Sequence, residues 1–211
     1  MQSVRVRLPA STSSCIYSCK MMESPQHLNL ATTPLVRPAQ ADPPRASGVY
    51  SWWLDTARFP TPESAGLADL PAAPRLSHGA EQAELLYVGR ARKNLHQRIL
   101  RQHLRRTRSS ALRRTLLAVL LPGDGKWAEG ASLDSRRRVV LDADAEDQLT
   151  AWMTGHLLLG WVRCPSKDET DALEEGWIKE HQPVLNTDGT THGRELTERK
   201  SRFVEGLSCD A

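Results

Sequence analysis

The chain has 211 residues, enough for one ordinary domain with extra segments and a sizeable core. Its net charge of +3 excludes a strongly basic protein, and no apolar run is long enough to cross a membrane. Four cysteines are too sparse for a disulfide scaffold, and their spacing matches no zinc module. We therefore expect a protein of a reducing, cytoplasmic setting with no membrane partner.

The N-terminal segment, residues 1–46, holds six of the thirteen prolines and shows no sustained hydrophobic periodicity. This composition predicts a disordered tail. The first twenty residues lack acids, which leaves open a transit peptide or, as the favoured alternative, a mis-assigned start with the true one at Met21 or Met22.

Two strands are predicted next, one on each side of a long loop. Residues 48–54 are rich in strand formers, and their alternation places Tyr50 on the same face as Trp52. Residues 84–89 form the second strand. The segment 55–82 between them contains four prolines and is predicted to be an inserted loop, a type of segment that is often functional.

Capping residues mark the starts of the predicted helices. Asn94 caps a helix that runs to about Arg106, and Ser109 or Ser110 caps the next helix. The remaining elements are a strand at 138–141, a helix at 145–155, a buried strand at 157–163, a helix from Ser166 to Glu180 and a polar C-terminal tail at 191–211, partly helical near 194–204.

Five short motifs follow one another along the chain: Ser47–Tyr50, Tyr87–Gly89, Asn94–Arg98, Leu173–Ile178 and Pro183–Asn186. In this order they resemble the motifs of the GIY-YIG nuclease superfamily. Each motif alone is weak, but five in the right order are specific. The resemblance covers about two-thirds of the chain. It implies an α+β fold, a small antiparallel sheet flanked by helices, as a stand-alone catalytic domain at residues 47–190.

The same resemblance implies metal-dependent hydrolysis of phosphodiester bonds in DNA. Glu174 would bind Mg²⁺ or Mn²⁺, a role that suits a single carboxylate because Mg²⁺ keeps several waters. Arg98 would bind the scissile phosphate through its planar guanidinium. Tyr50 would accept the proton of the attacking water, and its ordinary pKa near 10 requires help from neighbouring cations. Tyr87 would orient water or phosphate, and Asn186 would brace the site.

Two of these assignments have competing interpretations. His103 lies five residues after Arg98, whereas relatives often carry a His four residues after the Arg. Because an α-helix turns about 100° per residue, His103 belongs either to the site or to the surface. Glu175 is the alternative to Glu174, and only the spacing to Ile178 favours the latter. Taken singly, a strand Tyr more often packs and a helical Glu is more often solvated.

An arginine-rich segment runs from Arg98 to Arg114, with seven arginines and no acid. It predicts an anion-binding face, with nucleic-acid contacts from Arg101, Arg105, Arg106, Arg108, Arg113 and Arg114. We interpret the chain as a DNA endonuclease. The alternatives are a non-catalytic nucleic-acid-binding module of the same fold and a protein-interaction domain, which would leave the arginines unexplained.

Overall fold

The computed structural model describes residues 29–67, 70–120 and 129–209. In chain order the main elements are β1 (Gly48–Asp55), β2 (Ala83–Ala91), a π-helical segment (Gln97–His103), α1 (Ala111–Val119), β3 (Ala131–Leu133), β4 (Val139–Leu141), α2 (Ala143–His156), β5 (Leu157–Arg163), α3 (Lys167–His181) and α4 (Gly193–Cys209). The predicted α+β fold is confirmed. Among these helices, none is long and apolar enough to span a membrane.

The main sheet has three antiparallel strands in the order β2-β1-β5, and β3 pairs with β4 in a separate hairpin. Every residue of the central strand β1 is buried, because helices cover both faces of the sheet. As the alternation predicts, Tyr50 and Trp52 lie on one face, in the core formed with α1, α2 and α4. Val49 and Trp53 lie on the other face, against α3.

A β-bulge interrupts the pairing of β1 with β2. Trp52 pairs with Tyr87 and Trp53 pairs with Leu85, so Leu86 is the extra residue. A bulge of this kind changes which face the following side chains occupy. As a result Leu86 and Tyr87 both enter the core on the Tyr50 side, whereas strict alternation would place Tyr87 with Leu85 on the other face.

The helix starts follow the predicted caps. The side chain of Asn94 accepts the Gln97 N–H at 2.9 Å, and that of Ser166 accepts the Glu169 N–H at 3.1 Å. Of the two candidates before α1, Ser110 is the cap, since its hydroxyl accepts the Arg113 N–H. The first helix ends earlier than predicted, with π-helical geometry up to His103 in place of an α-helix to Arg106.

Both ends of the predicted domain are corrected by the structure. Residues 1–28 lie outside the described ranges, but residues 29–46 are packed against the sheet rather than disordered. Leu30 is fully buried, Val36 forms a β-bridge with Leu159, and Arg37 pairs with the buried Asp55 at 2.7 Å. Proline-rich segments can be ordered when tertiary contacts supply the partners that local periodicity does not.

The C-terminal segment is predicted to be a polar tail that is partly helical near 194–204, and the structure has a longer helix there, α4, that is docked on the body. It packs on α1 and β3, and Leu196 is fully buried in the core. Its apolar residues are few but share one face, because Leu196, Phe203, Val204 and Leu207 are spaced at i, i+7, i+8 and i+11, and they are enough to fix an otherwise polar helix.

The inserted segment between β1 and β2 is a loop, as predicted, but it is anchored to the body. It contains a 3₁₀ turn at Glu63–Ala65, and Leu67 forms a β-bridge with Leu120. Trp152 Nε1 donates a hydrogen bond to the Ala65 carbonyl at 2.9 Å. These contacts fix the described part of the loop against α1 and α2.

Candidate active site

Tyr50 lies at the centre of the candidate site, fully buried on β1. Its hydroxyl lies 2.6 Å from His103 Nε2 and accepts a hydrogen bond from Arg98 Nε at 3.2 Å. Burial raises the pKa of Tyr50 to about 12, while the charge of Arg98 and its hydrogen bond act in the opposite direction. The Tyr50 hydroxyl oxygen is thus within hydrogen-bond distance of two nitrogens, one from His103 and one from Arg98.

The π-helical segment explains how Arg98 and His103 reach the same hydroxyl. In an α-helix, residues five apart are rotated by about 140° relative to each other. A π-helix bonds residue i to residue i+5, so residues five apart lie above one another. Leu104 N–H accordingly donates to the Ile99 carbonyl at 3.1 Å. Of the two positions left open for His103, in the site or on the surface, the structure has the first: His103 is buried beside Tyr50.

Ser110 contacts the far side of the His103 ring. Its Oγ lies 2.6 Å from His103 Nδ1 and accepts the Arg113 N–H at 3.1 Å. Burial lowers the pKa of His103 well below its ordinary value, and the charges of Arg98, Arg113 and Arg114 lower it further. The imidazole is therefore neutral at physiological pH.

Tyr87 flanks Tyr50 as a result of the bulge in β2. The two rings lie 6.5 Å apart between centroids with an angle of 29° between planes. Burial, followed by the neighbouring Tyr50, raises the pKa of Tyr87 above that of a free phenol. Gly89 faces Tyr50 across the strands, and a Cβ there would lie 2.5 Å from the Tyr50 hydroxyl. The glycine after Val88 thus provides the space that the hydroxyl occupies.

Glu174 enters the site from α3, beside the edge strand β2. One of its oxygens, Oε2, pairs with Arg90 Nη1 at 2.5 Å, and Arg90 also contacts Asp171 at 3.2 Å. Burial raises the pKa of Glu174 above its ordinary value, and the charge of Arg90 offsets part of this effect. Its neighbour Glu175 is far more exposed, at 73% against 15% for the Glu174 side chain. Glu175 also contacts Arg90, at 3.5 Å, but only Glu174 lines the concavity that Tyr50 and Arg98 line. The geometry thus distinguishes the two carboxylates.

Asn186 is a brace within the protein and not a group open to the cleft. Its side-chain amide accepts the Val88 N–H and donates to the Val88 carbonyl, both at 2.9 Å. Leu185 N–H donates to the Leu86 carbonyl beside it. This pairing satisfies backbone groups of the edge strand β2 next to the bulge and holds Tyr87 in place.

These side chains surround a cleft of about 460 Å³. Its lining includes Tyr50, Tyr87, Arg90, Arg92, Lys93, Gln97, Arg98, Gln102 and Glu174. Cations outnumber carboxylates, which suits an anionic ligand. Within the described ranges no cluster of three or more His, Cys, Asp or Glu side chains is arranged to hold a metal. The single carboxylate of Glu174 fits a cation such as Mg²⁺ that takes its other ligands from water and substrate oxygens.

The arginines predicted to contact nucleic acid divide into two groups. Arg101, Arg105, Arg106 and Arg108 are exposed, and Arg114 is half-buried. Arg113 is a correction, because its side chain is fully buried and pairs with Glu146 at 2.6 Å. It also donates to Thr107, Thr150 and the carbonyls of His103 and Glu146. Arg113 is therefore a structural residue of the core, since a buried guanidinium needs several acceptors.

Three residues of the site had no predicted role. Gln102 accepts from Arg98 Nη1 at 2.7 Å, Arg90 pairs with Glu174, and Ser110 contacts His103. Arg90 directly follows the Tyr87–Gly89 motif, and this position could have indicated that its side chain lies near the site. For Ser110 the sequence identified a helix cap but gave no indication that the same hydroxyl faces an imidazole.

The fold and the cleft together define a small α+β protein with a tyrosine, an arginine and a glutamate lining one cleft in which cations outnumber carboxylates. Residues 48–202 match the model of the GIY-YIG catalytic domain family. That match covers most of the chain, which therefore belongs to the GIY-YIG family, a nuclease-type family whose members generally depend on divalent metals. Comparisons with curated proteins and with solved structures gave no match.

Proposed function

We propose that this protein is a divalent-metal-dependent endonuclease that hydrolyses phosphodiester bonds in DNA. The single observation that supports the proposal most is the convergence of Tyr50, Arg98 and Glu174 on one cleft, from three separate elements of the chain. Phosphodiester hydrolysis requires an activated water and neutralisation of charge on the phosphate, and these three groups can supply both.

Arg98 is the proposed phosphate ligand. Its Nε and Nη1 atoms are held by Tyr50, by Gln102 and by the Ser109 carbonyl, which fixes the plane of the guanidinium. Its Nη2 has no hydrogen bond to any described residue and is available to a ligand in the cleft. A guanidinium already held in place loses little entropy when it binds a phosphate oxygen.

The hydrogen bonds of Ser110 determine which nitrogen of His103 carries the proton in this proposal. Ser110 is fully buried, and its neighbours are the Arg113 N–H, which can only donate, and His103 Nδ1. The Ser110 hydrogen is then donated to Nδ1, because a buried donor without an acceptor is costly. The His103 proton therefore lies on Nε2 and points to the Tyr50 hydroxyl.

Tyr50 then accepts hydrogen bonds from both Arg98 and His103, and its own proton points into the cleft, which Tyr50 lines and Ser110 does not, so that water or substrate there can accept it. Two donors on one oxygen stabilise the phenolate relative to the phenol and so oppose the effect of burial on its pKa. Once it has lost this proton to solvent in the cleft, the Tyr50 phenolate can accept one from the attacking water. His103 acts as a donor that stabilises the phenolate and not as the base itself.

Glu174 is the proposed metal ligand. Arg90 holds only Oε2, and Oε1 has no hydrogen bond to any described residue. A divalent cation bound there would supply positive charge to the phosphate and lower the pKa of a coordinated water. Arg90 would keep the carboxylate oriented toward the cleft.

The test is to incubate the purified full chain with plasmid, single-stranded and branched DNA, with Mg²⁺, with Mn²⁺ or with chelator. Cleavage that needs the cation and is lost in Glu174→Gln would support the proposal. DNA binding without cleavage under every condition would overturn it in favour of a non-catalytic binding module, and the absence of both would exclude DNA as the substrate.

A further inference from the structure

A second cationic concavity lies beside the active cleft, between α1, the β3–β4 hairpin and α4. It is a groove of about 330 Å³. Five basic side chains line it. Two of them, Arg108 and Arg114, belong to the arginine-rich segment, and the other three, for which no role was predicted, are Arg137, Arg138 and Lys200. The groove draws its charges from three segments far apart in sequence, the arginine-rich segment, the run 136–138 and α4, and only the fold brings them together.

The charges of this groove are only partly compensated. Asp134 pairs with both Arg108 and Arg138, at 2.8 and 2.9 Å, so one negative charge neutralises only one of these two positive charges. Arg114 donates to the carbonyls of Thr107 and Arg108, which carry no full charge. Lys200, half-buried on α4, forms no hydrogen bond or ion pair with another residue in the described ranges.

The crowding of like charges raises the free energy of the empty groove. Burial lowers the pKa of Lys200, and the neighbouring Arg114 lowers it further. The pKa of Arg114 is also lowered, by burial first and then by Arg98 and Arg138. An anion in the groove would relieve this repulsion, because it interacts favourably with every one of these cations.

The groove is adjacent to the active cleft. Arg98 donates from Nη1 to the Ser109 carbonyl at 3.1 Å, and Ser109 lines the groove while Arg98 lines the cleft. One hydrogen bond thus separates the proposed ligand of the scissile phosphate from the second group of cations. A polyanion that occupies the cleft and extends in this direction would meet the groove next.

We propose that this groove binds a flanking phosphate of the nucleic-acid backbone, with Lys200 and Arg114 as its main ligands. The inference rests on the proposed function, since it assumes that the cleft receives a phosphodiester chain. It assigns α4 a role in holding the substrate on one side of the cut, in addition to its role in the core.

The test compares Lys200→Gln with Arg202→Gln in the full chain. Both variants remove one positive charge from α4, but two residues along a helix point about 200° apart, and exposed Arg202 does not line the groove. Affinity for a fluorescent duplex is measured against salt concentration in the presence of chelator. Loss of one phosphate contact flattens the slope of log affinity against log salt by about 0.9.

We expect Lys200→Gln to flatten the slope by about that amount, Arg202→Gln to keep a slope close to that of the wild type, and Lys200→Arg to restore it. Equal slopes for the two glutamine variants would overturn the inference while leaving the proposed nuclease intact. A wild-type chain that neither binds nor cleaves DNA would overturn both. Thermal melting of each variant verifies that it is folded, and Lys200→Arg serves as the folded variant if Lys200→Gln is not.

Discussion

His103 Nε2 lies 2.6 Å from the Tyr50 hydroxyl, although 53 residues separate the two in sequence. The π-helical segment makes this contact possible, because it aligns His103 with Arg98 on the same side of the helix. π-helical turns occur frequently at functional sites, since they trade regular hydrogen bonding for the placement of a side chain. Here the wider π-helical turn brings the neutral imidazole of His103 and the guanidinium of Arg98 to the Tyr50 oxygen.

The substitution Tyr50→Phe should slow cleavage while preserving the fold. General base catalysis contributes about 10²–10⁴-fold, so we expect a loss of that size in the single-turnover rate. Stability should also fall, by about 1–3 kcal/mol, because His103 Nε2 loses its buried partner. Rate measurements and urea unfolding test both parts. A fully active Tyr50→Phe protein would contradict the role of the phenol.

Ser110→Ala should alter the tautomer of His103. Without the serine hydroxyl, Nδ1 has no donor, and the proton is no longer confined to Nε2. We expect the imidazole ¹⁵N chemical shifts to show a lower population of the Nε2–H form, with slower cleavage. Loss of the helix cap costs about 0.5–2 kcal/mol as well, so stability alone does not test this role. Ser110→Thr, which keeps the hydroxyl, should restore both the shifts and the rate; unchanged shifts in Ser110→Ala would refute the assignment.

Glu174→Ala should abolish metal-dependent cleavage and leave DNA binding largely intact. Its exposed neighbour provides the matched control, since Glu175→Ala removes the same charge outside the cleft. Binding of Mn²⁺, followed by electron paramagnetic resonance, should weaken in Glu174→Ala alone. If activity instead depends on Glu175 and not on Glu174, the assignment of the ligand is wrong.

The buried His103 should make stability depend on pH. Its pKa in the folded state is well below the ordinary value of about 6.5. Between these two pKa values, the His103 imidazole is protonated in the unfolded chain but stays neutral in the folded chain. The free energy of unfolding must therefore decrease as pH falls below about 6.5. In His103→Asn the dependence should be shallower; an identical dependence would show that other groups cause it.

Two arginines of the same segment should behave in opposite ways. Arg113→Ala leaves the half-buried carboxylate of Glu146 with only its hydrogen bonds from Thr107 and should cost about 3 kcal/mol, measured by urea unfolding. Arg106→Ala changes an exposed side chain, so stability should stay within about 0.5 kcal/mol while affinity for DNA falls. A destabilised Arg106→Ala protein, or an Arg113→Ala protein of normal stability, would contradict this division.

Local sequence signals were enough to predict most of the secondary-structure elements and the order of the motifs. Strand formers, alternation and capping residues are local signals, so they located β1, β2, β5, α1 and α3 and identified the caps Asn94 and Ser166, while Ser109 and Ser110 remained alternatives before α1. The family followed from short motifs for the same reason. A motif specifies its residues without reference to what packs against them.

The register of the strands and the surroundings of the site residues could not be predicted in this way, because they depend on packing between distant segments. The bulge at Leu86 places Tyr87 beside Tyr50, and the π-helical segment aligns His103 with Arg98; each adds one residue, which periodicity counts as a mismatch. Whether Arg113 faces solvent or Glu146 depends on a helix more than thirty residues away. These outcomes depend on contacts between distant segments, and the energy of such contacts is not encoded in any local window of the sequence.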